Sequence, residues 1–380
     1  MPVQLKVEQF LDEAFLRSNT ANFNYLADVL KTSVDNIAYI LGAGMSYDIG
    51  LPLWKDLIEA LLVKGVAGRD SASPSMNKLM NEFNVLEVAE YLQTFMEKIA
   101  TGNIPYITRL NVIPLEDHQK IIGLADRYIA QAVKTALIYC KAREDIRSTR
   151  SAEEKWASLT NLAKFFDGRV KQVITYNYDD ALESVAPEAD SRGITQCVYT
   201  LKPCNQKAAT IYHVHGRLPI FTDCGPDDDT IILTEDSYQN LERSIYNNTN
   251  LCQANAFSQN ICLFMGFSRQ DPNFRRISAF RKHLPEVEIA YRKRVLDELS
   301  TGRLEFSYLE SEGINGVLPH FVLCPINLKD LPGDEKHAVN MFLEMQAHYL
   351  LRHWIFPIFV TFSDIPILLD DLEKQSRRVS

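Results

Sequence analysis

Apolar positions recur at helical spacing early in the chain: Phe10, Leu11, Ala14 and Phe15, then Tyr25, Leu26, Val29 and Leu30. A short continuous apolar run at 37–41 follows and ends in Gly42-Ala43-Gly44. Beyond Pro52, an amphipathic segment spans 54–62, so the order is strand, glycine turn, helix. From about 75 to 141 the spacing stays helical, through Leu86, Ala89, Tyr91, Leu92, Phe95 and Met96, then Ile121, Tyr128, Ile129, Ala132, Val133, Ala136 and Leu137. A charged stretch at 141–155 leads back out. Apolar runs of strand length resume at 170–175, 210–214, 230–233, 261–267, 321–324 and 355–362, with helical segments at 235–246, 273–283 and 335–351. Buried runs alternating with helices predict an α/β fold: a Rossmann-like parallel sheet with helices on both faces and an inserted helical module. The expected division is 1–65 for the N-terminal helices and first βα unit, 66–160 for the inserted module, and 161–380 for the rest of the Rossmann-like domain.

Composition narrows the class. The 380 residues are 46% hydrophobic and 23% charged, with no repeat of fixed period, which fits a globular chain with a large core. A formal net charge of −9 lacks the footprint of a protein that grips phosphate backbones, and the basic group Arg275, Arg276, Arg281 and Lys282 reads as a solvated helix face. Direct nucleic-acid binding is not expected. No apolar run has the length of a membrane span, 354–362 being far too short, and 1–15 lacks a signal-type run. The seven cysteines are an odd number without tight spacing, as in a chain of reduced thiols, so a cytoplasmic location is expected.

Four stretches carry candidate chemistry, each at the end of an apolar run. Gly42-Ala43-Gly44-Met45-Ser46 suits a phosphate, because glycines allow close approach and a helix N-terminus offers free N–H groups. The third glycine of G-x-G-x-x-G is missing at position 47, and a tight strand-to-helix turn explains an isolated match as well. Thr175-Tyr176-Asn177-Tyr178-Asp179 places an amide and a carboxylate at a strand end, where open sheets bind ligands but where Asn and Asp also serve turns. His213-Val214-His215-Gly216 supplies two imidazoles at strand period; without a third ligand at recognisable spacing the pair does not read as a metal site, and one of them reads as structural. Gly266-Phe267-Ser268 precedes Asp271-Pro272-Asn273, whose polar groups suit either a ribose and phosphate or a simple helix cap.

Together, and in this order, these motifs resemble the sirtuin (silent-information-regulator) superfamily: Gly-Ala-Gly-x-Ser-x-x-x-Gly-x-Pro at 42–52, Thr-x-Asn-x-Asp at 175–179, His-Gly at 215–216 and Gly-x-Ser at 266–268. The resemblance covers roughly 35–60 and 165–365. Two departures set the chain apart. It contains no Cys-x-x-Cys, so the zinc ribbon of protein-deacylating sirtuins is missing and no zinc is expected. The Asp-Phe-Arg that usually follows the loop proline is here Leu53-Trp54-Lys55. Both departures are similar to the bacterial sirtuin-like NADases of anti-phage defence.

The resemblance implies NAD as substrate and a division of labour. Gly42, Ala43, Gly44 and Ser46 would cradle the pyrophosphate; Pro52, Trp54, Thr175 and Gly266 would line the cofactor site; Ser268 and Asp271 would hold the adenosine half. Asn177 would orient the nicotinamide ribose and a water, Asp179 would support the pocket, and His215 would act as general base. Nicotinamide leaves a cationic glycoside as a neutral group, so positioning and one base suffice for NAD hydrolysis. Protein deacylation or ADP-ribosyl transfer, and a non-catalytic NAD- or ADP-ribose-binding scaffold, are the alternative readings. The same family likeness implies regulation by a partner, such as a HerA-type ATPase, or by homo-oligomer formation.

Overall fold

Five apolar residues in a row leave no polar face, and β1 (Ile37–Leu41) is accordingly buried throughout. It lies at the centre of a sheet seen in a computed structural model that describes residues 11–32, 36–66, 82–100, 115–166, 170, 172–186, 194–196, 210–222, 231–243, 248–267, 274–275, 278–279, 281, 284–301, 317–326 and 336–377. The other strands are β2 (Gln172–Thr175), β3 (Ile194–Gln196), β4 (Thr210–His213), β5 (Ile261–Met265), β6 (His320–Pro325) and β7 (Ile355–Val360). They form one sheet in the order β3-β4-β2-β1-β5-β6-β7, and every pairing is parallel. The helices are α1 (Glu13–Thr32), α2 (Trp54–Ala60), α3 (Val85–Ala100), α4 (Leu115–Arg147), α5 (Ala152–Ala163), α6 (Ala181–Val185), α7 (Glu235–Arg243), α8 (Asn248–Gln259), α9 (Pro285–Thr301), α10 (Lys336–Leu351) and α11 (Ile365–Arg377). The fold is Rossmann-like α/β, as its apolar pattern predicts.

Strand order decides where a ligand can enter. The chain leaves β1 toward β2 and β4, then returns to the other side of β1 as β5. Crossovers on either side of β1 therefore diverge, opening a crevice at the carboxyl ends of β1 and β5. Register aligns the surrounding ends: Leu41 lies beside Thr175 and Met265, and Thr175 lies beside His213. Each of the four motifs begins at, or directly after, one of these four aligned residues.

The helical region joins this core through α2. Val88, Ala89, Leu92 and Met96 of α3 and Ile129, Val133, Ala136 and Leu137 of α4 belong to the same buried apolar cluster as β1 and β5. The charged stretch at 141–155, expected as a connection, is helical on both sides of a short break, because i,i+4 pairing such as Lys141 with Asp145 (2.8 Å) suits an exposed helix face. Ser151 closes the break with a capping box, its hydroxyl accepting from Glu154 N–H and the Glu154 carboxylate accepting from Ser151 N–H.

One expected strand is absent. Ile231–Leu233 of the run at 230–233 form no ladder. Instead Ile232 N–H donates to the His215 carbonyl (3.0 Å), and the Leu233 and Thr234 amides donate to Ser237 Oγ at the start of α7. The run is apolar because it is a buried lead-in to a helix, which periodicity does not distinguish from a short strand. The expected helix at 273–283 lies partly outside the described residues.

At the far edge, α1 lies against β7. Asn19 donates to the Phe359 carbonyl (3.0 Å) and accepts from the Phe359 N–H (2.6 Å), and Asn22 donates to the Pro357 carbonyl (2.9 Å). Two asparagines buried in a helix are thereby satisfied by the outer edge of a strand.

Candidate functional site

The turn after β1 is tighter than a plain strand-to-helix junction. Ala43–Met45 form a single 3-10 turn, and α2 begins only at Trp54. Its glycines meet a glycine of the next strand. Gly42 N–H donates to the Met265 carbonyl (3.0 Å) and Gly44 N–H to the Gly266 carbonyl (2.9 Å). A Cβ on Gly42 would lie 2.5 Å from the Gly266 oxygen, and one on Gly266 would lie 2.3 Å from the Met45 nitrogen. Gly266 also has φ +63°, a conformation that disfavours side chains. Close packing of two loops is thus a sufficient reason for these glycines. Met45 and Ser46 amides turn back onto the Gly42 and Ala43 carbonyls (3.0 and 3.1 Å).

Ser46 carries the turn into the chemistry. Its hydroxyl, 2% exposed, donates to Asp179 Oδ1 and accepts from Asn177 Nδ2, both at 3.1 Å. Thr175 Oγ1 accepts from Asn177 N–H (3.1 Å), so its side chain holds the turn that presents Asn177. With Nδ2 committed to Ser46, the Asn177 side-chain carbonyl is buried and has no hydrogen-bond partner among the described residues. A buried acceptor without a partner calls for a donor from outside the protein, such as a ribose hydroxyl or a water. Asp179 accepts from Ser46 and from Ala181 N–H (3.1 Å). Burial, reinforced by the nearby Glu183 carboxylate, pushes its pKa up to about 6 against those hydrogen bonds.

Past β4, His213 and His215 separate into two environments. His213 is fully buried, with Nδ1 3.1 Å from the Asn177 main-chain carbonyl and Nε2 2.6 Å from Glu183 Oε1. Both ring nitrogens are engaged, which removes it from any metal pair with His215. Burial alone would lower the His213 pKa; the charge and hydrogen bond of Glu183 outweigh it and hold the pKa above the ordinary imidazole value. His215 is also buried and sits edge-to-face between Tyr176 (4.8 Å between ring centroids) and Tyr238 (5.2 Å). Gly216, at φ +95°, turns the chain away immediately after it.

A buried charged layer that the motifs did not reveal supports this floor. Arg217, 1% exposed, approaches Glu183 Oε1 (3.4 Å) and Asp180 Oδ2 (3.6 Å). Asp180 accepts from the Ile220, Phe221 and Thr222 amides (2.7, 2.9 and 2.8 Å) and from the Thr222 hydroxyl. Burial would raise its pKa, but these donors hold it below the usual carboxylate range. The available signal was adjacency: Asp180 follows Asp179, Arg217 follows the His-Gly pair, and Glu183 lies one turn further along α6.

The remaining expected site residues divide. Gly42, Ala43, Gly44, Ser46, Thr175, Asn177, Asp179, His215 and Gly266 converge on the carboxyl edge of β4, β2, β1 and β5. Pro52 lines a cavity of about 370 Å³ between the glycine turn, α2 and α4, together with Tyr47, Glu59, Tyr139 and Arg143. Trp54 opens α2 half-buried against the core. Ser268 and Asp271 lie outside the described residues. Among the described residues, one group of metal-capable donors, Glu298, Glu344 and His348, has its ligand atoms within 4.8 Å of one another, but on α9 and α10, which supply none of the residues above.

Residues 171–286 match the family described as SIR2-like domain. The matched stretch takes in β2 with Asn177, β4 with His215 and β5 with Gly266, which supports a place in the sirtuin-like superfamily and NAD-related chemistry in general. No curated protein matches the chain. Among the described residues, no helix is long and apolar enough to cross a membrane.

Proposed function

We propose that this chain is an NAD+ glycohydrolase: water adds at the ribose carbon, the bond to nicotinamide breaks, and nicotinamide, ADP-ribose and one proton are released. The observation that carries the reading is the Asn177 side-chain carbonyl, buried and without a partner among the described residues while its amide nitrogen is fixed on Ser46. That carbonyl fits a donor on the ribose or the attacking water, and His215 beside Tyr176 takes the proton. Nicotinamide leaves as a neutral molecule from a cationic ring, so the site supplies orientation and a base rather than a strong acid. The absence of any Cys-x-x-Cys favours hydrolysis over the deacylation typical of zinc-ribbon sirtuins.

In this reading the enzyme depletes NAD in cytoplasmic anti-phage defence, held in check by homo-oligomer formation or by a HerA-type ATPase. Nicotinamide release from NAD by the purified full chain tests the chemistry. Asn177→Ala and His215→Ala each lower the rate by about a hundred-fold or more, the scale of losing a positioned catalytic group. Equal rates in parent and variants would overturn the reading.

A further inference from the structure

Among the described residues, His213 has two acceptors and no donor before it. Its Nδ1 faces the Asn177 main-chain carbonyl, which has no proton to give, and its Nε2 faces a Glu183 oxygen that Arg217 also approaches. A neutral imidazole carries one N–H and would turn a lone pair toward one of these oxygens; with Glu183 kept a carboxylate by Arg217, only an imidazolium satisfies both. The charges around it favour that form. Glu183 and Asp180 contribute two negative charges and Arg217 one positive, so a cationic ring offsets an excess of negative charge, to which Asp179 adds once ionised. Asp179, the other titrating neighbour, is bonded to Ser46 and Ala181, and the residues in register on β2 and β3, Thr175 and Gln196, carry no charge.

We propose that His213 is a positioning residue, held as an imidazolium, that fixes the main chain at Asn177 and makes the geometry of this turn depend on pH. The proposal rests on the reading of Asn177 as a site residue. Glu183 holds the proton on the ring, Arg217 holds Glu183, and the ring passes the constraint to the Asn177 carbonyl. The side chain of Asn177 is then fixed at both ends: its backbone by His213 and Thr175, its amide by Ser46. Loss of the His213 proton at alkaline pH releases one of these anchors without touching His215.

Two measurements on the full chain test it. In histidine-labelled protein, two-bond nitrogen–proton correlations report the state of each ring; His213, assigned through its own backbone, shows both nitrogens protonated at pH 7.5. A neutral His213 at that pH overturns the proposal. The second measurement compares amide replacements. His213→Asn keeps a donor where Nδ1 stood, toward Asn177, whereas His213→Gln keeps one where Nε2 stood, toward Glu183. Positioning requires the Gln variant to lose kcat by about ten-fold or more, the scale of one charge-assisted hydrogen bond, with KM for NAD little changed and the Asn variant less affected. A merely structural salt bridge gives the opposite order, and that order overturns the proposal. In Glu183→Gln the basic limb of the kcat profile moves to lower pH, because the charge that retains the proton is gone; a profile superimposed on the parent's also overturns it. If the parent releases no nicotinamide, the proposed function falls, while the state of the His213 ring is still decided by the first measurement.

Discussion

Asp179 is a carboxyl group whose partners change roles with its proton. Above its pKa of about 6 it accepts from Ser46, which frees the Ser46 oxygen to receive the Asn177 amide. Below that pH the carboxyl is a donor, and it competes with Asn177 for the same oxygen. NAD cleavage is therefore expected to fall on the acid side with a midpoint near 6, and Asp179→Asn, which cannot titrate, to lose that limb; a limb unchanged in the variant would contradict this assignment. The same shift has a stability consequence of definite sign. The folded pKa lies above the ordinary carboxyl value of 3.8, so the folded state holds the proton more tightly. The contribution is fully present below about pH 4 and is lost as pH rises through about 6, by roughly 3 kcal/mol. Urea unfolding of parent and Asp179→Asn at pH 4.5 and 7.5 reads it as a difference that shifts against the parent on going up.

Between elements, the clasp of Gly42 and Gly44 on Gly266 is the joint to test. Gly266→Ala adds a Cβ 2.3 Å from the Met45 nitrogen at φ +63°, so the two loops must part. A loss of several kcal/mol is expected, beyond an ordinary Gly→Ala change, because the obstructing atoms are backbone. An unfolding midpoint equal to the parent's would show that the loops are not in contact. The joint also explains what the sequence could reveal. Apolar runs located β1, β2, β4, β5, β6 and β7 closely, since a doubly covered strand has no alternative to continuous apolarity. The same logic misplaced 230–233, and it missed β3, whose three residues are too few to make a pattern. Motif order pointed to Ser46, Asn177 and His215, but Glu183 and Arg217 entered the site only through tertiary contact. Charged residues are usually surface residues, so nothing in their local sequence announced burial.

At the scale of the whole molecule, the helical region assigned to 66–160 shares one apolar core with the sheet. Excising it would bare the apolar residues of α2 that α4 now covers. Thermal unfolding of such a shortened chain, followed by circular dichroism, is expected to show no cooperative transition; a sharp one would establish the region as a separable domain. Arg150 adds a polar tie, bonding the Asp48 carboxylate (2.9 Å) and carbonyl (3.3 Å) just past the glycine turn. Assembly is constrained at the β7 edge of the sheet. The outer edge of β7 offers little to a foreign strand: Pro357 has no N–H, Asn22 occupies its carbonyl, and Asn19 occupies both polar groups of Phe359. An unclaimed margin of this kind is where copies of a chain template one another into continuous sheets. Here the template is already taken by the chain's own first described helix, so copies that associate at this end must meet through side chains on helical faces, and a filament grown by strand addition would first have to peel α1 away.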